Sequence, residues 1–142
     1  MISLADARAI IDRGLAHARS NGYPPMTISV LDAGANLVAF VREDNSSLLR
    51  ERISRAKAHG ALNMGVGSRA LAGRAEAHPQ FVAALMALAE GNLVPVPGGV
   101  LARNASGQIV GAVGVSGHVP DADEACAIRG IEAAGLRADP GA

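Results

Sequence analysis

At 142 residues, 49% hydrophobic and 18% charged, the chain has the length of one domain and the composition of a packed globule rather than a disordered segment. Thirteen Lys and Arg balance thirteen Asp and Glu, without the basic excess that neutralising nucleic-acid phosphates requires, so nucleic acid is not expected as a partner. The acidic start (Asp6, Asp12) is unlike a secretory signal, the longest apolar run (Phe81 to Ala89) is too short to span a bilayer, and a lone Cys126 excludes an internal disulfide.

Ser3 and Asp6 have capping-box spacing, and Leu4, Ala7, Ile11, Leu15 and Ala18 recur at helical intervals until Asn21-Gly22 ends the pattern. Thr27 to Asp32 and Leu37 to Arg42 read as strands around the turn residues Ala33 to Asn36, which makes a hairpin. A helix is expected after a Ser46-Ser47 cap, with Leu49, Ile53, Ala56, Gly60 and Met64 on one face, and 65–73 as a glycine-interrupted connection. His78-Pro79 opens a short helix that Gly91 closes. Val100 to Arg103 and Gln108 to Val115 flank Asn104-Ala105-Ser106-Gly107 as a second hairpin. Asp121, Asp123 and Glu124 suit the positive end of a last helix ending near Gly135. The order is helix, hairpin, two helices, hairpin, helix. An α+β domain over residues 1–137 is expected, with about five antiparallel strands flanked by helices, and a short tail at 138–142.

The common phosphate, dinucleotide and zinc-protease spacings are absent. Cys126, on an Ala-rich helical stretch, reads as a buried inert thiol. What remains is a set of residues at element ends. Asp32, Arg42 and Asp44 end the first hairpin's strands, Lys57 and His59 follow on a helix, Gly98 and Gly99 precede a strand, and Ser116 and His118 follow the last one. If these converge, Arg42, Asp44, Gly98, Gly99 and Ser116 would bind a ligand, while Lys57, His118 and Asp32 would do catalytic work. The equally good alternative is an ion-pair network tying helix to sheet. Lys57 stands out as the only lysine among the thirteen basic residues. His17, between Ala16 and Ala18, reads either as a surface histidine or as an iron ligand that nothing bulky obstructs. Residues 42–74 hold seven basic and three acidic side chains, and 118–142 five acidic and two basic, so the two stretches either neutralise one another or face an anionic ligand or a neighbouring subunit.

The runs Thr27 to Phe40, Arg42-Glu43-Asp44 and Ala56-Lys57-Ala58, with Val94 to Gly99 and Gln108 to Gly117, resemble the GlcG/HbpS family of haem-binding proteins across Leu4 to Leu136. That family also includes the C-terminal domain of the propanediol-utilisation corrinoid adenosyltransferase. The resemblance implies a profilin- or PAS-like sheet, homo-oligomers, and haem as cofactor, since some members bind it; His17, from its own small neighbours, is then the candidate metal ligand. Its alternative is a cofactor-free enzyme acting on a small polar or carboxylated metabolite through Asp32, Arg42, Lys57 and His118. Three places depart from the family pattern. Arg42-Glu43-Asp44-Asn45 lacks the usual methionine and glycine, Pro97-Gly98-Gly99-Val100 replaces a glycine triplet and proline, and His118 stands where glycine is usual. The expected partner is haem or another small ligand, in a soluble cytoplasmic protein with no membrane association.

Overall fold

The computed structural model describes residues 1–141. Helix α1 (Leu4–Ser20) starts from the expected capping box: Ser3 accepts from the Asp6 N–H, and Asp6 accepts from the Ser3 N–H, each at 3.0 Å. Strands β1 (Thr27–Asp32) and β2 (Leu37–Arg42) form the first hairpin. Three helices follow, α2 (Arg50–Met64), α3 (Ser68–Ala77) and α4 (Pro79–Leu88). The second hairpin is β3 (Gly99–Arg103) with β4 (Ile109–Ser116), then come α5 (Pro120–Ala133) and a short β5 (Arg137–Asp139). One antiparallel sheet has the order β2-β1-β4-β3-β5, so the two hairpins meet through β1 and β4.

Three details differ from the sequence reading. The stretch expected as a connection carries α3: Gly65 (φ 69) ends α2 in the left-handed region, and helix resumes at Ser68 straight after Gly67. Ser46 does not cap α2, because its hydroxyl is turned to the Glu43 carbonyl at 2.9 Å. Ala138 and Asp139, expected in the tail, pair with β3, an edge strand too short to leave a periodic signal. Ala142 lies outside the described residues.

The sheet has two unlike faces. Ile28 and Val30 of β1 and Val113 and Val115 of β4 join Val100 and Ala102 in the main core with Ala7, Ile10, Cys126, Ala127 and Ile131 of α1 and α5. The opposite face, alternating with these, presents Thr27, Ser29, Ala112, Gly114 and Ser116, which are small enough for α2 to lie directly on the strands. A Cβ on Gly114 would stand 1.8 Å from the Ser54 carbonyl oxygen, and one on Gly99 2.2 Å from that of Lys57. Ser29 and Ser54 hydroxyls bond across this contact at 2.8 Å. A chain with 2% aromatic residues thus obtains its second layer by close backbone approach rather than by bulk. Leu71, Val82 and Leu93 form a satellite cluster under α3 and α4.

Candidate functional site

Lys57 projects from α2 around the end of the sheet and is 2% exposed. Its ammonium donates to the Val115 carbonyl and to Asp123 Oδ2 of α5, each at 3.0 Å. The other carboxylate oxygen, Asp123 Oδ1, accepts from the His118 backbone N–H at 2.8 Å. Burial pushes the Lys57 pKa down and the Asp123 pKa up, each opposed by the attraction of its partner. The loop held between these contacts, Ser116 to Val119, is further fixed at its start. Thr27 Oγ1 donates to the Ser116 carbonyl at 2.7 Å, and Arg50 Nη1 donates to Ser116 Oγ at 3.1 Å. Gly117 is required here, since a Cβ would meet Met26 Sδ at 2.5 Å.

His118 itself is exposed, and its ring packs on Tyr23 with centroids 5.1 Å apart at 46°. On its other side Tyr23 meets His17 edge-on, at 5.9 Å and 78°. Three rings from α1, the α1–β1 connection and the β4–α5 loop therefore form one cluster. Partial burial, then the charges of Arg129 and Arg13, hold the His17 imidazole below its ordinary pKa of 6.5. The shift favours the neutral form of the ring. Gly14, one turn earlier on α1, serves the packing of that helix on β1 and α5, since a Cβ there would meet Ile28 Cδ1 at 2.9 Å and the Cys126 carbonyl oxygen at 3.2 Å.

The element-end residues divide into separate groups. Lys57, Gly98, Gly99 and Ser116 come together with His118 at one end of β4. Gly98 (φ 123) passes so close to Lys57 that a Cβ would sit 2.8 Å from Nζ, and the Gly99 N–H donates to Ser68 Oγ at 2.7 Å. Arg42 ends β2 opposite Thr27, at this same end of the sheet. It donates to the Ser46 carbonyl and lines a cleft of about 360 Å³ with Arg19, Pro25, Glu43 and Asp44. Arg19 there pairs with Glu43 at 3.2 Å and donates to the Tyr23 and Pro24 carbonyls at 2.7 Å.

Asp32 lies at the far end of β1, paired with Gly111 where Thr27 pairs with Ser116, roughly 17 Å along the strand. Its Oδ1 accepts the Gly34 and Asn36 N–H groups at 3.0 and 2.9 Å. The Asn36 bond is the main cause holding this carboxyl below the usual range. Asp32 is thus engaged in the hairpin turn and does not meet Lys57 or His118. Arg69 of α3 binds Glu124 and Asp121 of α5, so the basic and acidic stretches of the sequence do neutralise one another at this contact. Cys126 is buried in the core, its thiol pushed up to about 12 by desolvation.

Two residues of the site are not among the sequence candidates: Tyr23, which no motif marks, and Asp123, which the sequence places only at the positive end of a helix. Its register one turn into α5, behind Val119-Pro120, was the available signal. Among the described residues, no group of three or more His, Cys, Asp and Glu could hold a metal ion by itself, and no helix is long and apolar enough to cross a membrane.

Comparison with solved structures returns the same fold at low identity. A PduOC–haem complex superposes with a TM-score of 0.85 at 21% identity, covering 95% of this chain and 96% of that one. The Klebsiella pneumoniae protein ORFY gives 0.84 at 24% identity, with 94% and 90% covered. HbpS gives 0.78 at 21% identity, with 92% and 88% covered. No curated protein matches in sequence. Residues 2–132 match the family model described as "Haem degrading protein HbpS-like", and the chain belongs to that family.

Proposed function

We propose that this protein binds haem at the ring cluster of His17, Tyr23 and His118, with His17 as the iron ligand. The observation that carries the reading is the family match over residues 2–132, and the PduOC–haem neighbour supports it. The residues present fit the group. A single protein nitrogen can hold a haem iron, and the lowered pKa of His17 favours the neutral imidazole that such a bond would need. Arg13 and Arg129, whose charges act on that imidazole, would supply positive charge for a ligand's carboxylates. Tyr23 and the exposed Val119 beside His118 provide apolar surface. Bound there, haem would supply an iron centre for ligand exchange and electron transfer. The chain's own residues orient it and hold its charge.

The reading includes self-association. Helix α4 carries no charged side chain, and its Phe81 (57%) and Leu88 (81%) are exposed, as is Leu48 (89%) before α2.

Absorbance titration of the purified protein with haemin, with albumin as the control for nonspecific uptake, tests the proposal. A saturable change in the haem band at a fixed stoichiometry is expected. A weak, unsaturable change matching the control would overturn it.

A further inference from the structure

The Lys57–Asp123 pair is buried at 2% and 1% exposure, where ion pairs return little net stability against apolar replacements. Its geometric output is more specific. Lys57 grips the Val115 carbonyl and Asp123 grips the His118 N–H, two backbone groups that bracket Ser116 and Gly117. His118 has an exposed side chain on a short loop, and a ring so placed keeps one orientation only if its backbone is fixed. The backbone is fixed from below by a carboxylate that cannot turn to water, because its other oxygen is seated on the lysine. The resulting chain of contacts runs from Lys57 through Asp123, the His118 N–H and the His118 ring to Tyr23 and His17.

We propose that Asp123, seated on Lys57, is a positioning residue that holds the His118 ring against Tyr23 and thereby completes the ligand face at His17. This rests on the reading of the ring cluster as a haem site. The role belongs to the Asp123 oxygen that accepts the His118 N–H. The lysine balances the charge of the buried carboxylate, a need that a neutral amide in its place does not have.

Two double variants separate this from plain stability, since neither leaves a buried unpaired charge. Lys57→Met/Asp123→Asn keeps an acceptor for the His118 N–H, and Lys57→Met/Asp123→Leu removes it. Tyr23 is the only tyrosine and there is no tryptophan, so tyrosine emission reports directly on its contact with His118. The expected result is wild-type emission in the Asn variant and emission matching His118→Ala in the Leu variant. Haemin affinity should fall by roughly tenfold or more in the Leu variant alone. Wild-type emission in a folded Leu variant would overturn the proposal. Should that variant not fold, amide exchange of the wild-type protein decides. A protected His118 N–H on an exposed residue supports the positioning bond, and exchange at the rate of a free loop refutes it. Emission and exchange are read without haem. A wild type that fails to take up haemin would therefore remove the haem reading while these two measurements still judge Asp123.

Discussion

An ammonium 3.0 Å from a carboxylate and almost wholly out of water cannot serve as a surface anchor for an anion, and Lys57 is in that position. Replacing Lys57 by Met alone strands a charge at Asp123 and is expected to cost about 3–5 kcal/mol in denaturant unfolding, most of it recovered in Lys57→Met/Asp123→Asn. The single variant carries a pH signature. Without the lysine, burial holds the folded-state pKa of Asp123 above its unfolded value, so the deficit grows as pH rises through that window and shrinks on acidification. His17 has the opposite profile. Its folded-state pKa lies below 6.5, so its ring should stay mostly neutral at pH 6.5, and lowering the pH from there costs stability down to the folded pKa. A ring-proton NMR titration reads this directly, and half-protonation at pH 6.5 would contradict it. Composition marked Lys57 as unusual. The partner was not legible, because Asp123 lies 66 residues away and the pairing exists only once α2 and α5 meet at the end of β4.

Glycine placement governs how the elements pack. Gly114→Ala would drive a methyl into the Ser54 carbonyl and lift α2 from the sheet, at an expected cost of about 3 kcal/mol or more. Gly73→Ala, inside α3 with nothing within 4 Å of the new Cβ, should instead stabilise by about 0.5–1 kcal/mol. Thermal unfolding of the two variants gives opposite shifts on this account, and equal shifts would contradict it. Both hairpins were legible from alternating strands and turn residues. Asp32 with Asn36, and Asn104 with Gln108, close their loops through side-chain bonds that the turn residues foretell. Helix α3 was hidden because Gly65, Gly67 and Gly73 imitate a loop, although only Gly65 adopts a positive φ. The same contrast explains Asp32: its place at a strand end suggested catalysis, while the turn beside it accounts for its bonds.

At the scale of the molecule, a sheet with a bulky core on one face and a close-packed small-residue face on the other needs few aromatic side chains. Its three aromatic residues are then free for other positions: Tyr23 in the ring cluster, Phe81 exposed on α4, and Phe40 on the edge strand β2. Light scattering should give a mass of more than one chain, and a monomer at every concentration would contradict the self-association expected from the exposed apolar residues of α4. Whether His17 supplies the iron ligand is read from the haem spectrum of His17→Ala. This variant is expected to lose the saturable haem band of the wild type and to regain it when free imidazole is added to fill the missing ligand. A His17→Ala spectrum that matches the wild type without imidazole would contradict that assignment.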